Sequence, residues 1–233
     1  MHKYQGSELP LFAGARNWKS YVGKSLAPFI GRDVLEVGAG IGGTTMALRA
    51  GRQGRWTCLE PDPELAAQLS TLAGAEKLGP DCRVLGGTVA GLPIDARYDS
   101  VIYMDVLEHI ENDGEELALA ARLLAPGGHL IVLAPAFSWL FTEFDEAVGH
   151  FRRYTHRQLF LREPPGMDQV CGYYLDSVGL LASLANRMVF KSRAPTIAQI
   201  LFWDKAMVPI SRYIDLVIGR TFGRSVICIW RKR

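Results

Sequence analysis

The chain has 233 residues, of which 48% are hydrophobic and 21% charged, and its formal net charge is +2. These proportions are typical of a soluble globular protein. No run approaches the ~18 uninterrupted apolar residues of a membrane span, the first residues lack the apolar core of a signal peptide, and the four cysteines show no CxxC spacing. We therefore expect a cytoplasmic protein with reduced thiols, without a disulfide framework.

The charge is distributed unevenly along the chain. Residues 1–186 carry 16 Lys/Arg and 22 Asp/Glu, net −6, whereas residues 187–233 carry 10 and 2, net +8. A basic segment with interspersed aromatic residues is found at contacts with anionic membranes, nucleic acids or acidic substrates, but solvated helix faces are its commoner explanation. A peripheral contact of this C-terminal region with an anionic membrane is kept as a hypothesis. No nucleic-acid partner is predicted.

Strand-like and helix-like segments alternate from residue 33 onward, which predicts an α/β fold with a mostly parallel sheet and helices on both faces. The predicted strands are 33–38, 55–60, 82–86, 99–105, 128–134, 168–174 and 225–230. The predicted helices are 43–50, 63–73, 113–124 and 155–161, with an N-terminal helix around 13–30. Within 175–224 the alternation stops, and helical patterns at 175–190, 196–206 and 210–219 predict an insert before the last strand.

Cap residues support these boundaries. Asp62 before Pro63 is typical of an N-cap followed by proline in the first helical turn. Thr155 and Gln158 have the spacing of a capping box. Pro126-Gly127-Gly128 is expected to end the helix before it and to turn the chain into the next strand.

The segment VLEVGAGIGGTT predicts a buried strand, a glycine loop and a helix. Gly38, Gly40 and Gly42 spell G-x-G-x-G, and with Gly43 in the last place they spell the G-x-G-x-x-G of dinucleotide sites. The glycines alone therefore fit two kinds of ligand. Glu36 distinguishes them, because a buried carboxylate below the loop conflicts with a pyrophosphate and suits a cationic ligand. S-adenosylmethionine (SAM) carries both a sulfonium and an ammonium group.

Four ordered segments make the chain similar to a known family. They are VLEVGAGIG (34–42), CLEPDPEL (58–65), YDSVIYMDVLEHI (98–110) and LLAPGGHLIVLAP (123–135). In this order and spacing they resemble the class I SAM-dependent methyltransferases, especially the small-molecule group that includes the quinone-biosynthesis type. The resemblance implies SAM as cofactor. It also implies a Rossmann-like seven-stranded sheet of order 3-2-1-4-5-7-6 with the last strand antiparallel.

The resemblance assigns the cofactor to the glycine loop and to the ends of the strands. The implied cofactor-binding residues are Glu36, Gly38, Gly40, Gly42, Glu60, Asp62, Thr88, Val89 and Asp105. Glu60 ends the second strand, where a carboxylate is expected to accept both ribose hydroxyls. Thr88 falls where many relatives have an Asp near the adenine, so a hydroxyl or backbone contact is expected instead. Asp105 is expected near the methionine end of SAM, or as a cap of the segment that follows.

The catalytic candidates are His109, His150 and Asp105. His109, in DVLEHI, is either a general base or an orienting and packing group. His150 belongs to a D-x3-G-H-x-R-R-Y loop (145–154) and is either a base or an acceptor ligand, unless the loop is simply anchored by its own ion pairs. The spacing of the two histidines matches no metal motif, so no metal ligand is predicted.

One methyltransferase domain is expected to span residues 1–233. Within it we expect a helical lid at 1–31, a SAM-binding core at 32–174, a helical cap at 175–224, and the final strand with its basic tail at 225–233. The predicted function is methyl transfer from SAM to an O or N nucleophile of a small molecule by in-line displacement. Two alternatives stay open: a nicotinamide-dependent oxidoreductase, and a non-catalytic SAM-binding or membrane-associated partner subunit.

Overall fold

A seven-stranded sheet forms the centre of the protein, whose computed structural model describes residues 8–185, 187 and 195–233. Its strands are β1 (Val34–Val37), β2 (Trp56–Glu60), β3 (Cys82–Gly86), β4 (Tyr98–Met104), β5 (Leu124–Pro135), β6 (Met167–Leu175) and β7 (Ser225–Lys232). Their order is β3-β2-β1-β4-β5-β7-β6. Only β7 runs against its neighbours, β5 and β6. The predicted strand order and the antiparallel last strand are therefore confirmed.

Ten α-helices connect or cover these strands in the described part of the chain. They are α1 (Glu8–Phe12), α2 (Arg16–Leu26), α3 (Gly43–Arg49), α4 (Pro63–Gly74), α5 (Asp113–Arg122), α6 (Glu143–Ala147), α7 (His156–Phe160), α8 (Ser177–Ala185), α9 (Ile197–Phe202) and α10 (Val208–Val217). One π-helical turn, Trp203–Met207, joins α9 to α10. The five-residue helices α1 and α6 were not predicted, because they are too short to show a helical period. Part of the predicted helix 175–190 lies outside the described residues.

Apolar side chains cover both faces of the sheet. In β5, Leu130 and Val132 belong to the buried cluster that includes α5 and α7, whereas Ile131 and Leu133 belong to the cluster that includes α2, α3 and α4. Alternate residues of a strand point to opposite faces, so a strand buried on both faces has a continuous apolar sequence. This three-layer arrangement explains why the central strands are apolar runs in the sequence.

The cap helices between β6 and β7 are tied to the N-terminal helix α2 by buried carboxylates. Asp204 accepts hydrogen bonds from the backbone N–H of Asn17 at 3.2 Å and of Trp18 at 2.8 Å. The first N–H groups of a helix have no partner within the helix, so Asp204 caps α2 from a distant part of the chain. Asp215, in α10, accepts a hydrogen bond from the Tyr21 hydroxyl at 2.9 Å. Helix α2 therefore packs against the helices between β6 and β7.

Two of the predicted helix starts are confirmed. The side chain of Asp62 accepts hydrogen bonds from the backbone N–H of Glu64 at 2.8 Å and of Leu65 at 3.0 Å, and α4 begins at the next residue. Thr155 and Gln158 form the reciprocal capping box that opens α7.

The prediction for Pro126–Gly128 was wrong. Helix α5 ends at Arg122 and β5 begins at Leu124, so the triplet lies inside the strand. The register between β4 and β5 shifts at this point, and Gly127 has φ +79°. Extra residues in one strand of a pair form a bulge, and glycine adopts the positive φ without strain.

The described basic residues of β7 and of the segment before it make contacts at different ends of the strand. Arg224 lies over the ring of Trp203 at 4.3 Å, while Arg231 and Lys232, toward the other end of β7, donate hydrogen bonds to backbone carbonyls. The basic residues within 188–194 lie outside the described residues. No helix of the described chain is long and apolar enough to cross a membrane. Contact of this region with an anionic membrane stays a prediction. The structure places Arg224 apart from Arg231 and Lys232, three of the basic residues on which that prediction depends.

Glu36 lies in the middle of β1 and is 1% exposed. Its Oε2 accepts a hydrogen bond from Trp56 Nε1 at 2.8 Å, and Thr45 of α3 provides a second hydrogen bond. Burial raises the pKa of Glu36 to about 7, because the ionised form is poorly solvated. The carboxyl group therefore joins β1 to β2 and α3.

Glu36→Gln is expected to change how stability depends on pH. The native protein keeps a proton on Glu36 up to about pH 7, whereas the unfolded chain releases it near pH 4.5. The unfolded state binds fewer protons in this window, so the wild-type protein loses stability as the pH rises through it. Each pH unit in the window corresponds to about 1.4 kcal/mol.

The glutamine variant keeps an acceptor for Trp56 but does not titrate. Urea unfolding of both proteins at pH 5 and at pH 8 measures the effect, and all other titratable groups are shared. The variant should gain about 2–3 kcal/mol relative to the wild type between the two pH values. An equal difference at both pH values contradicts the raised pKa.

Candidate active site

A cavity of about 1010 Å³ opens at the carboxyl edge of the parallel strands. Ligands of open α/β sheets bind at this edge, and their sites usually measure ~300–1,000 Å³. Loops that follow the strands form most of the wall, helped by α1, α2 and the cap. The main lining segments are Gly38–Ile41, Glu60–Asp62, Gly87–Thr88, Met104–Val106, Glu108–Asn112 and Val148–Phe151. The cavity is large enough for a nucleoside cofactor beside a small second ligand.

The glycine loop after β1 requires residues without a side chain. Gly38 has φ +67°, and a Cβ there would lie 2.6 Å from a methyl group of Val106. Gly40 has φ +55°. Both residues adopt the left-handed conformation that glycine tolerates best, and the loop backbone thereby forms part of the cavity wall.

Glu60 is fixed at the end of β2 by two backbone hydrogen bonds. Its Oε2 accepts from the Gly40 N–H at 2.8 Å and its Oε1 from the Asp62 N–H at 3.0 Å. Burial raises the pKa of Glu60, and these hydrogen bonds oppose that rise. A carboxylate offers about four acceptor positions, so positions remain for ligand hydroxyls. The side chain thus links the glycine loop to the turn that opens α4.

The predicted cofactor residues divide into two groups. Those that line the cavity are Gly38, Gly40, Glu60, Asp62, Thr88 and Asp105. Those that do not line it are Glu36, Gly42 and Val89. Glu36 points to α3 instead of beneath a ligand, since it shares its face of β1 with Val34, which packs against the helix layer. Gly42 packs against side chains of the α4 region, and Val89 belongs to the apolar core.

Asp105 turns the chain at the end of β4. Its φ is +55°, a left-handed value that is uncommon for residues other than glycine. Such backbone strain is concentrated at functional sites. The short 3₁₀ turn that follows, Leu107–His109, has Val106 at its cap position, one residue after Asp105, and the capping role of Asp105 stays a prediction.

The loop after β5 is organised by Asp145, which sequence reasoning used only as part of a motif. Asp145 Oδ1 accepts from His150 Nδ1 at 2.9 Å, and Arg153 binds both carboxylate oxygens at 2.8 and 2.9 Å. Burial alone raises the pKa of Asp145, but the hydrogen bonds from His150 and Arg153 outweigh it and hold the pKa below its ordinary value. The ionised Asp145 assigns the proton of His150 to Nδ1, which leaves Nε2 as an acceptor.

The two predicted catalytic histidines meet in the structure. Their ring centroids lie 4.5 Å apart and the rings are nearly perpendicular, at 84°. Burial, and next the neighbouring His150, lower the pKa of His109 to about 4. His109 is therefore neutral at pH 7. Both side chains line the cavity.

Glu108 is a cavity residue that sequence reasoning missed. It is 0% exposed, and neither oxygen of its side chain has a hydrogen-bond partner among the described residues. Burial raises its pKa well above the ordinary value. His150 Nε2 lies 3.9 Å from its Oε1. The signal in the sequence that could have identified Glu108 is its position directly before His109, in the turn that follows a predicted strand.

Comparison with known proteins places these features in a family. Residues 35–132 match the family described as Methyltransferase domain. A tRNA U34 carboxymethyltransferase of Syntrophotalea carbinolica is 35% identical over 108 residues, 46% of this chain and 33% of the relative. A ubiquinone biosynthesis O-methyltransferase of Paracidovorax citrulli is 28% identical over 153 residues, 63% of this chain and 63% of the relative. The chain thus spans less than two thirds of the length of these curated relatives.

Solved structures share the fold at low sequence identity. A Haloferax volcanii protein in complex with the Trm112 methyltransferase activator is 19% identical with a TM-score of 0.63, over 93% of this chain and 90% of that one. Coclaurine N-methyltransferase bound to N-methylheliamine and SAH is 13% identical with a TM-score of 0.60, over 92% and 72%. These structures show that the chain has the fold of this group. Together with the strand order, the match over residues 35–132 supports a class I SAM-dependent methyltransferase with SAM as cofactor.

Proposed function

We propose that the protein transfers the methyl group of SAM to an oxygen or nitrogen nucleophile of a small molecule. The observation that carries this proposal is the acid-rich wall of the cavity. Seven acidic residues line it, namely Glu60, Asp62, Asp105, Glu108, Glu111, Glu116 and Asp145, against three basic ones, Lys19, Arg153 and Arg224. Recognition of nucleic acid requires a basic surface that neutralises phosphates. This wall therefore favours a small acceptor over an RNA, although one relative is named for a tRNA.

In this proposal the cofactor binds along the glycine loop. Glu60 accepts hydrogen bonds from the ribose hydroxyls, since its carboxylate is held at the cavity wall with acceptor positions to spare. Thr88 and the turn around it contact the adenine. Asp105 lies at the methionine end. The family match over residues 35–132 supports SAM over the nicotinamide alternative.

The reaction is a direct displacement. A lone pair of the acceptor attacks the methyl carbon, the bond between that carbon and the sulfonium breaks, and S-adenosylhomocysteine leaves. Alignment of the acceptor with the carbon–sulfur bond supplies much of the rate. A hydroxyl or protonated amine must also lose a proton, and we assign that proton to His150 Nε2.

His150 is the better base of the two histidines for a geometric reason. Asp145 receives the hydrogen bond of its Nδ1 and would stabilise the imidazolium that forms when Nε2 takes a proton. Among the described residues, no carboxylate forms a hydrogen bond with the His109 ring, and the lowered pKa of His109 disfavours its protonation. We therefore assign to His109 the orientation of the acceptor.

Glu60→Ala is expected to weaken SAM binding at least tenfold, because hydrogen bonds to a charged group contribute ~1.5–3 kcal/mol each. Calorimetric titration of SAM measures this loss. Glu64→Ala is the matched control, since Glu64 is an exposed acid in the first turn of α4. If the Glu60 variant binds SAM with wild-type affinity, Glu60 does not bind the ribose hydroxyls.

His150→Ala is expected to lower kcat by about 10²–10⁴-fold, the usual contribution of a general base. The affinity for SAM should stay within about twofold of wild type, because Asp145 and His150 belong to the acceptor side. His129→Ala serves as control, as His129 packs against Phe29 at the opposite edge of the sheet. An unchanged kcat in the His150 variant would mean that a group other than His150 accepts the proton of the acceptor.

The choice of acceptor is tested by incubation with methyl-labelled SAM. Low-mass metabolite extract and total tRNA are supplied in parallel, and the label is followed into each fraction. We expect label in a low-mass product, carried on oxygen or nitrogen. Transfer only to tRNA would overturn the small-molecule proposal, and SAM binding without transfer to either would favour the non-catalytic alternative.

A further inference from the structure

Glu108, His109 and His150 bring three metal-ligating side chains together at the cavity wall. One ligand atom of each residue lies within 4.8 Å of the ligand atoms of the other two. All three residues line the cavity. We propose that this cluster binds a divalent transition-metal ion, for which Zn²⁺ is the natural probe. The sequence predicted no metal, because the two histidines lie far apart in the chain and only the fold joins them.

The buried carboxyl group of Glu108 is the observation that points to a ligand. Buried polar atoms almost always have a hydrogen-bond partner, and a buried carboxylate without one costs several kcal/mol, roughly. Both oxygens of Glu108 lack a partner within the described residues, although the side chain is fully enclosed. A cation between Glu108 and the two imidazoles would satisfy these oxygens. Within residues 8–185, 187 and 195–233, no cationic side chain forms a hydrogen bond with these oxygens.

His150 is already oriented as a metal ligand. Its Nδ1 donates to Asp145 Oδ1 at 2.9 Å, and its Nε2 faces Glu108 Oε1 at 3.9 Å. Metal-binding histidines usually donate their second N–H to a carboxylate, which fixes the ring and its tautomer. Asp145 is itself held by both nitrogens of the Arg153 fork. The supporting shell of a metal site is therefore in place.

The distances require only a modest adjustment. Ligand atoms bonded at ~2.1 Å to a tetrahedral ion are about 3.4 Å apart. The two most distant ligand atoms of the cluster are at most 4.8 Å apart. They would therefore have to approach each other by at most about 1.4 Å. His109 and His150 already stand in ring contact, at 4.5 Å, so rotation of side chains can supply this change.

The donor set selects the class of ion. Two imidazoles and one carboxylate suit zinc and other first-row transition metals, whereas Mg²⁺ and Ca²⁺ prefer oxygen ligands. Three protein ligands leave one position of a tetrahedral ion open, which is typical of catalytic and not of structural zinc. Since the cluster faces the cavity, the open position would face the acceptor.

An ion here would change how the acceptor loses its proton, a consequence that rests on the proposed methyl transfer. The ion and a proton compete for His150 Nε2, so metal-loaded protein could not use that atom as base. An acceptor hydroxyl bound to the ion would instead have a lowered pKa and release its proton to water. Binding of the ion itself does not depend on methyl transfer.

Equilibrium dialysis against Zn²⁺, without SAM or acceptor, tests the proposal on the full chain. We expect one saturable site per chain. Glu108→Gln should weaken it at least tenfold and Asp145→Asn by about 10–100-fold, the usual effect of a supporting carboxylate. Glu115→Gln, an exposed acid on α5, is the matched control and should bind like wild type. Far-ultraviolet circular dichroism shows that each variant is folded.

Co²⁺ identifies the ligands independently. The Sγ atoms of Cys58 and Cys82 lie 3.8 Å apart, and the spectrum of bound Co²⁺ separates binding by these thiols from binding by the proposed cluster. Thiolate ligands give Co²⁺ an intense near-ultraviolet charge-transfer band, whereas nitrogen and oxygen ligands give only visible bands. Visible bands that disappear in Glu108→Gln support the proposal. A thiolate band alone, no saturable Zn²⁺ binding, or equal affinity in wild type, Glu108→Gln and His150→Ala overturns it, whatever the outcome for methyl transfer.

Discussion

Buried carboxylates hold together the edge of the sheet at which this protein works. Where parallel strands end, their loops leave backbone N–H groups without sheet partners, and these groups need acceptors when they are buried. Glu60 accepts from Gly40 and Asp62, and so fixes the glycine loop against the next turn. Asp145 does the same for the loop that carries His150. A buried carboxylate is stable only while its hydrogen bonds are made, so each loop is confined to one arrangement.

Local patterns in the sequence were sufficient for the frame of the molecule. Apolar runs marked several of the seven strands, because a strand covered on both faces needs them, and the resemblance supplied the strand order. Glu60 could be located because it ends a strand at the ligand edge. Glu36 was expected beneath the ligand of the glycine loop, whereas strand alternation places it with Val34 on the helix side.

The parts that sequence did not reveal depend on contacts between distant segments. His109 and His150 come from loops after different strands, and their contact exists only once β4 and β5 are paired. The burial of Glu108 follows from that packing. The sequence of a three-residue turn does not show whether its glutamate is buried. The bulge at Pro126–Gly128 was mistaken for a helix end because both use proline and glycine. Active-site chemistry is therefore less visible in this sequence than the scaffold that supports it.

The distant cap of α2 has a consequence for how the chain matures. Asp204 is separated by 187 residues from Asn17, whose N–H it accepts. During synthesis the N-terminal helix leaves the ribosome first, yet its capping carboxylate is made only when most of the sheet has already been translated. Contacts of such long range form late, because loop closure must precede them. The start of α2 therefore receives its buried acceptor late, after the six strands that precede Asp204 have been made.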